Sequence, residues 1–386
     1  MSFLQSLADA FKGTASRVPL ARTYSSPWIF ADTCSARAPY EYQRSVRQAY
    51  LDNPVAQRAV RLVAEGMGQA PLAQTDPALA ALVGATSAGQ SLLETLASQL
   101  LLHGNGYVQV IKDGAGRPVE LFALRPERVT VIAGASGWPE GYAYRVGEQQ
   151  MTIPAVDEDI SPNVIHIRSF HPGDDHYGAG CLSAADQAVA LHNAASNWNR
   201  ALLDNAARPS GALVYDSGDG MGLTAEQFDR LKAELAQAFS GEGNAGRPMV
   251  LEGGLKWQSL SLSPADMDFA ALKAAAARDI ALAFGVPPML LGLPGDSTHA
   301  NYREANRALW RLTVLPLAAK ILGALREGLL TWFPQASLAI DLDRVPELAE
   351  DRERLWAQVN AAEFLSADEK RAMLGIAPLQ NASENK

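Results

Sequence analysis

The feature that most restricts the fold is a break between two strongly helical segments. Residues 285–305 read GVPPMLLGLPGDSTHANYREA, and a helical pattern lies on each side of them. Pro287, Pro288 and Pro294 oppose a continuous helix, because proline lacks a backbone donor and clashes with the preceding turn. The leucines between them make the stretch too apolar for an ordinary loop at the surface. The fold must therefore place an apolar, non-helical segment between two helices.

The helix before the break is predicted to begin at Ser263, with Pro264 in the first helical position. Its apolar stripe follows helical spacing and consists of Phe269, Leu272, Ala276, Ile280 and Phe284. The other faces are rich in alanine, which either allows close helix packing or reflects helix propensity, and both interpretations stay open. The helix after the break carries Pro316 in its interior, which predicts a kink.

Residues 46–181 are predicted to form an α+β unit, with two helices laid on a small sheet. The first helix follows Asn53 as N-cap, and the second follows Ser91 and ends at Gly104. Alternating apolar and polar residues then predict a series of short strands, the first of them NGYVQVIKD.

A long helix is predicted next, with Ser183 as N-cap and Asn205 as its end. A second, smaller α/β unit follows over 208–262. In the tail, SLAIDLD reads as a strand and two short helices follow it. Ser366 and Glu369 have the spacing of a capping box at the start of the last helix.

The charge balance limits the function classes. The 386 residues carry a formal net charge of −9, with 48% hydrophobic and 19% charged residues, a globular composition. A chain of this net charge does not bind nucleic acid tightly through its overall electrostatic field, because that binding depends on Lys and Arg displacing counterions. It can still let DNA pass. No run has the uninterrupted apolar length of a membrane span or signal peptide, so we expect no membrane contact and assembly in a cytoplasm.

One cluster suggests chemistry. His166, His171 and His176 recur every five residues beside Asp174 and Asp175, and imidazoles with carboxylates are ligands for zinc or non-haem metals. A metal-dependent hydrolase using the three histidines is therefore an alternative function. Against it, a strand that leaves into a loop turns successive side chains in different directions.

Other catalytic motifs are missing from the sequence. It contains no GxxxxGK[ST] phosphate loop, no GxSxG elbow, no HExxH and no CxxC. Asp296, Ser297 and His299 are too close in sequence to converge as a triad. Cys34 and Cys181 lie far apart and are expected to stay reduced. We therefore predict a non-enzymatic protein without cofactor or metal.

Several motifs recur in an order that resembles a known family. They are LLHGNGYVQVIKD (101–113), LFALRPERVTV (121–131), VIHIRSF, GAGCLSAA (178–185), LLDNAARPSGAL (202–213), AFGVPPMLLG (283–292) and HANYREANRALWRLTVLPLAAKI (299–321). In this order the chain resembles the phage portal protein family, in particular the HK97-like branch of tailed phages, prophages and gene transfer agents.

The resemblance implies an α+β portal fold with a wing, a two-helix stem, a small α/β clip, a kinked long wing helix and a short helical crown. The implied parts are an N-terminal arm (1–45), the wing (46–181 and 301–345), the stem helices (182–207 and 263–285), the clip (208–262), the tunnel loop (286–300) and the crown (346–386).

The resemblance also implies a function. The family forms a ring of about twelve subunits at one capsid vertex, through which double-stranded DNA passes without sequence specificity during packaging and ejection. Its partners would be the major capsid protein, the terminase large subunit and a head–tail adaptor. The location would be a virion or phage-like particle assembled in the bacterial cytoplasm. A head–tail adaptor ring that does not contact DNA is a further alternative.

In such a ring the break would line the channel. The residues assigned to it are Pro287, Pro288, Met289, Leu290, Leu291, Gly292, Leu293, Pro294, Gly295 and Asp296. We expect an apolar, mobile constriction past which DNA slides, although a buried turn that only joins two helices is the alternative. Acidic walls would repel phosphate, with the candidates Asp266, Asp268, Asp279, Asp296 and Glu304.

Overall fold

The computed structural model describes residues 39–74, 76–87, 89–157, 161–204, 211–215, 255–259, 269–293 and 299–376, with five further residues between 226 and 233. The chain divides into two compact units. Unit 1 comprises Met1–Arg44, Val60–Ser183 and Thr298–Lys386, and unit 2 comprises Ser45–Ala59 and Ala184–Ser297. Three of the four boundaries, those after residues 44, 59 and 183, fall inside helices.

The described part of the chain contains ten α-helices. They are α1 (Pro39–Val46), α2 (Pro54–Gly68), α3 (Pro77–Gly84), α4 (Leu92–His103), α5 (Cys181–Asp204), α6 (Phe269–Ala283), α7 (His299–Leu309), α8 (Leu315–Gly328), α9 (Ala349–Ala361) and α10 (Ala367–Met373). The strands are β1 (Leu72–Gln74), β2 (Thr86–Ser87), β3 (Gln90–Ser91), β4 (Asn105–Lys112), β5 (Pro118–Leu124), β6 (Val129–Ala133), β7 (Pro139–Val146), β8 (Gln149–Pro154), β9 (Val164–Arg168), β10 (Gly211–Tyr215), β11 (Leu255–Ser259) and β12 (Leu338–Ile340).

Unit 1 has layers. The three-stranded sheet β5-β4-β9 is antiparallel, and its side chains alternate between two faces. Val108 of β4 packs into a core with α4 and α8, whereas the adjacent Tyr107 packs on the other face against residues of the second sheet, β6-β7-β8. The expectation of one small sheet under two helices is therefore wrong in its sheet count, because the strands divide between two sheets.

The structure confirms three of the four predicted helix N-caps. The Asn53 side chain accepts hydrogen bonds from the backbone amides of Val55 and Ala56 at the start of α2, and Ser91 caps α4, which ends at Gly104 in a left-handed conformation. Ser366 and Glu369 form the expected capping box. Ser183 is not an N-cap, because α5 already begins at Cys181 and the Ser183 hydroxyl donates to the Gly180 carbonyl.

Two helices were not anticipated. Helix α1 begins at Pro39, inside the segment interpreted as an irregular arm. Helix α3 is not among the predicted helices, although Asp76 followed by Pro77 is a strong start signal: the Asp76 side chain accepts from the amides of Ala78 and Leu79.

Unit 2 contains α6 and all but the first turn of α5. The ring of Trp198, near the end of α5, stacks on Phe269 at the start of α6 with 4.2 Å between ring centroids. Earlier on α5, His192 is buried and the Asn53 amide nitrogen lies 3.1 Å from its Nδ1. Strands β10 and β11 pair antiparallel within the clip region predicted at 208–262, most of which lies outside the described residues.

Helix α7 continues through a π-helical turn, Trp310–Val314, into α8. Pro316 occupies the first turn of α8, and the π turn directly precedes it. A π turn is a common cause of a bend, so it adds a second local reason for the kink at Pro316, which stays a prediction. The whole stretch Asn301–Gly328 is long and apolar enough to cross a membrane by length and composition, but the buried face of α8 packs in the core of unit 1, as in a soluble core helix.

Candidate functional site

The segment that follows α6, residues 284–293, contains two hydrogen-bonded helix ends that each require a glycine. We call this segment the joint. At the end of α6 the Gly285 amide donates to the Leu282 carbonyl and the Val286 amide donates to the Ala281 carbonyl, with Gly285 at φ +65°. This pair of bonds is a Schellman motif. It closes the helix and turns the chain sharply.

The same arrangement is repeated one short element later. Pro288–Leu291 form a 3₁₀ turn, after which the Gly292 amide donates to Met289 and the Leu293 amide donates to Pro288, with Gly292 at φ +72°. The break between the two α-helices thus includes a short 3₁₀ turn, in which Pro288 stands in the first helical position, where no amide donor is needed.

Burial divides the residues of the joint. Val286 and Leu290 are buried, Met289, Leu291 and Leu293 are half-buried, and Pro288 and Gly292 are exposed. The side chain of Leu290 is thus buried by its own chain, whereas the half-buried side chains are partly exposed to solvent. Pro294, Gly295 and Asp296 lie outside the described residues. Up to Leu293 the joint therefore consists of two successive turns, each ended by a Schellman motif.

We expect Gly292→Ala to destabilise the joint. A Cβ there meets no atom within 4 Å, but φ is positive, and an L-residue in that conformation costs about 1–2 kcal/mol. Gly323→Ala is the matched control, because it also meets nothing but has ordinary helical φ in α8. It should stabilise by about 1 kcal/mol. Thermal unfolding midpoints that shift in the same direction would contradict the assignment.

A second constellation fixes the start of α5, within unit 1. The side chain of Asn105, itself buried, pairs with the backbone of Gly178: its Oδ1 accepts from the Gly178 amide at 2.8 Å and its Nδ2 donates to the Gly178 carbonyl at 3.1 Å. Gly104 lies against the backbone of 178–180, and Gly180 lies against the backbone of Leu102 and Gly104. A Cβ on either glycine would fall under 3.0 Å from these backbone atoms. We call this contact of Gly104–Asn105 with 178–180 the glycine crossing.

The glycine crossing explains two of the sequence motifs. GNGY supplies Gly104 and Asn105, and GAGCLSAA supplies 178–180 and the first turn of α5. Sequence analysis singled out both motifs but did not place them together, because 73 residues separate Asn105 from Gly178. Only glycine allows the two backbones to approach this closely.

The histidine cluster is not assembled as a metal site. His166 stacks on Tyr107 at 4.3 Å and its Nε2 lies 3.1 Å from Asn105 Oδ1, whereas His171 accepts a hydrogen bond from the Gly173 amide through Nδ1. Within the described ranges, no group of three His, Cys, Asp or Glu residues is placed to hold a metal ion. His166 instead supports the glycine crossing.

Acid should weaken the glycine crossing. Burial lowers the pKa of His166 to about 3 and that of His103 to about 4, from 6.5. The folded chain therefore binds fewer protons than the unfolded chain below pH 6.5, so stability is complete above pH 6.5 and falls as pH drops toward 4. Each histidine contributes about 1.4 kcal/mol per pH unit in that window. His166→Gln should flatten the pH dependence of urea unfolding; an unchanged slope would contradict this.

An ion-pair network joins α7 to α9. Arg307, largely buried, donates to Glu350 at 2.6 Å and to Glu304 at 2.7 Å, and Arg303 donates to the other oxygen of Glu350 at 2.8 Å. A largely buried arginine that donates to two carboxylates fixes geometry better than a single exposed pair. The network therefore ties the tail helix α9 to the long helix.

Arg307→Ala should release α9, because it leaves carboxylates of Glu350 and Asp351 without their shared cation. We expect faster limited proteolysis after residue 345 in the purified variant. Arg303→Ala is the control, since Arg303 binds the same carboxylate from an exposed position and exposed pairs contribute little. Equal proteolysis rates for the two variants would argue against the network.

Two of the five acidic candidates lie in the described residues. Asp279 is exposed on α6, and Glu304 is exposed and paired with Arg307. Asp266, Asp268 and Asp296 lie outside the described residues.

Comparison with known proteins gives concordant matches. A family model described as "Phage portal protein" matches residues 54–375. A chain in the virion of a native gene transfer agent particle is 48% identical with a TM-score of 0.68, covering 89% of this chain and 95% of that one. A chain in the neck of the native particle, computed with C12 symmetry, is 48% identical with a TM-score of 0.67, covering 88% and 94%.

A more distant structure shares the fold. The HK97 family phage portal protein from Corynebacterium diphtheriae is 19% identical with a TM-score of 0.56, covering 77% of this chain and 96% of that chain.

Proposed function

The chain belongs to the phage portal protein family, and from that premise we propose how it works. Its function is that of a portal subunit at the vertex of a phage-like particle, and the family is structural rather than enzymatic. The observation that carries this conclusion is the 48% identity to a chain in the neck of a gene transfer agent particle over 88% of the present chain. The subunit would then be part of a conduit for DNA.

The finer proposal is a ring of about twelve copies, by analogy with the C12 symmetry of the related neck. Double-stranded DNA passes through it in both directions without sequence recognition. The net charge of −9 supports passage without tight binding, because cationic contacts would add a salt-dependent affinity that each step must break.

We assign the constriction to the joint. The support is its two Schellman closures, which present the half-buried side chains of Met289, Leu291 and Leu293 from a fixed turn. Fixed apolar side chains offer the duplex no cation to bind, so friction stays low. The mobility expected of this loop and its position at the channel are both part of the proposal.

The partners are proposed from the family. The clip (208–262) would meet the terminase large subunit and later the head–tail adaptor, and the wing would meet the major capsid protein. Assembly takes place in the bacterial cytoplasm, and the division into wing, stem, clip and crown is part of the same proposal.

Negative-stain electron microscopy of the purified full chain tests the function. We expect a ring with a central hole wide enough for a duplex, about 20 Å or more. A homogeneous monomer under all salt conditions, or a ring without a hole, would overturn it. Metal analysis of the same sample separates the hydrolase alternative, which requires a stoichiometric metal lost on His166→Ala.

A further inference from the structure

A groove of about 410 Å³ opens beside helix α3, within unit 1. The side chains that line it are apolar with one exception, and they belong to Leu72, Pro77, Ala80, Ala81 and Arg344. Leu72 and Ala80 are half-buried, and the other three residues are exposed. The groove is therefore open to solvent, and it is large enough to accept an aliphatic side chain.

The cation at this groove is free to bind an acceptor. Within the described part of the chain, the Arg344 side chain forms no hydrogen bond or ion pair, whereas the carboxylate of the adjacent Asp343 is bound by Arg352. A guanidinium carries five N–H donors and no acceptor. The groove therefore suits a short peptide segment that brings one aliphatic side chain together with unpaired carbonyl oxygens.

The last described helix ends close to Arg344. The Arg352 guanidinium donates to the Asp343 carboxylate and, at 3.2 Å, to the Leu374 carbonyl. One side chain thus connects the residue that precedes Arg344 with the residue that follows α10. The end of α10 is fixed beside the 3₁₀ turn that carries Arg344, Leu342–Arg344.

The chain turns sharply at this fixed end. The Gly375 amide donates to the Ala372 carbonyl and the Ile376 amide donates to the Arg371 carbonyl, with Gly375 at φ +77°, which is a Schellman motif. Residues 377–386, APLQNASENK, follow this turn and lie outside the described residues. Ten residues reach up to about 33 Å when extended, so this C-terminal segment is long compared with the single guanidinium that joins Asp343 to Leu374.

The C-terminal segment has the chemistry that the groove suits. Leu379 is its only large apolar side chain. Pro378 precedes it, and proline disfavours helix at and before its own position, because it lacks an amide donor and restricts the preceding residue to extended conformations. Extended backbone of this kind makes no internal hydrogen bonds. Its carbonyl oxygens are therefore available to a guanidinium.

We propose that the C-terminal segment folds back onto the groove of its own copy. Leu379 packs against the apolar wall beside α3, and Arg344 donates to backbone carbonyl oxygens next to Leu379. We call this contact the tail latch. Chain termini are ordered only where such contacts tie them down, and the latch ties the end of α10 to α3 and β1. It is a contact within one copy, so it does not depend on ring formation.

Paired cysteines test the tail latch in the full-length chain. In a Cys34→Ser, Cys181→Ala background, Ala81→Cys is combined with Gln380→Cys, which leaves Leu379 in place. The protein is oxidised and digested, and the disulfide-linked peptide is quantified by mass spectrometry. We expect an intramolecular bridge that dithiothreitol removes.

The matched control combines Gln380→Cys with Ala361→Cys. Ala361 is exposed at the end of α9, about 14 Å along that helix from Arg352. The backbone from Leu374 to Gln380 spans up to about 20 Å, so a segment without a fixed site reaches position 361 as well.

The two cysteine pairs distinguish a bound segment from a free one. The bridge to position 81 should exceed the bridge to position 361 by about tenfold or more, because docking raises the local concentration at one site only. Equal yields at the two positions overturn the tail latch. Covalent dimers on a non-reducing gel would place the segment on another copy, and they overturn it too.

Two substitutions in the Ala81→Cys, Gln380→Cys protein test the two halves of the contact. Leu379→Ser removes the apolar side chain and should lower the bridged fraction by about tenfold, whereas Leu379→Met keeps the apolar bulk and should preserve it. Arg344→Gln should lower the fraction by about threefold. If Leu379→Ser cross-links as well as Leu379→Met, the groove does not bind Leu379 and the proposal fails.

Discussion

Gly178→Ala is expected to prevent unit 1 from reaching its native fold. A Cβ at 178 would lie under 3.0 Å from the Gly104 carbonyl oxygen and from the backbone of Ser169. Backbone cannot move aside as a flexible side chain can, and the Asn105 side chain holds Gly178 through two hydrogen bonds. Overpacking of this kind costs about 3 kcal/mol or more. Soluble yield and thermal unfolding of the purified chain measure the effect.

Two other glycines separate steric clash from backbone strain. Gly116→Ala meets nothing within 4 Å but has φ +75°, so it should lose only about 1–2 kcal/mol. Gly114→Ala meets nothing and has no positive φ, so it should be close to neutral. A Gly178→Ala protein as stable as Gly114→Ala would show that the glycine crossing does not hold the start of α5.

The second large effect is expected in DNA packaging. Replacing Met289, Leu291 and Leu293 with lysine adds three cations per copy to the joint. In a ring, these charges would bind phosphate and release counterions, which converts a low-friction passage into a salt-dependent brake. We expect DNA-filled particles to fall by about tenfold or more, while rings still assemble. Cryo-electron microscopy of particles from a host carrying the variant gene counts the filled ones.

The control replaces the same three residues with glutamine. It makes the joint equally polar without adding charge, so packaging should be much less affected. Normal filling with the lysine variant would remove the joint from the channel, and equal loss in both variants would indicate that shape, rather than charge, matters there. Neither variant changes Leu290, which is buried in its own chain.

Elements with local signals could be read from the sequence. Asn53, Ser91 and Ser366 each satisfy amides within three residues, so a short window contains both the donor and the acceptor. Asp76 carries the same signal before α3, so this helix could also be predicted from a short window. The interior Pro316 was noticed, but the π turn before it follows from backbone hydrogen bonding that composition does not reveal.

Elements that depend on distant contacts could not be read. Strand periodicity identifies β4 to β9, but their division into two sheets depends on which edges pair. The prolines predict the break at the joint. Gly285 and Gly292 indicate its turns only in part, because the two Schellman motifs also depend on hydrogen bonds that form after the chain has turned. The glycine crossing joins positions that neither motif specifies alone.

Asn105 also bears on the chemical stability of the protein. It is followed by Gly106, and Asn-Gly is the step at which asparagine most readily loses ammonia through attack by the next backbone nitrogen. In the folded chain the Asn105 carboxamide is fully engaged, and Gly106 is held opposite Ile167 in the sheet. Deamidation at this step therefore requires unit 1 to open, and its appearance in stored particles, read by peptide mass spectrometry, would record how often that happens.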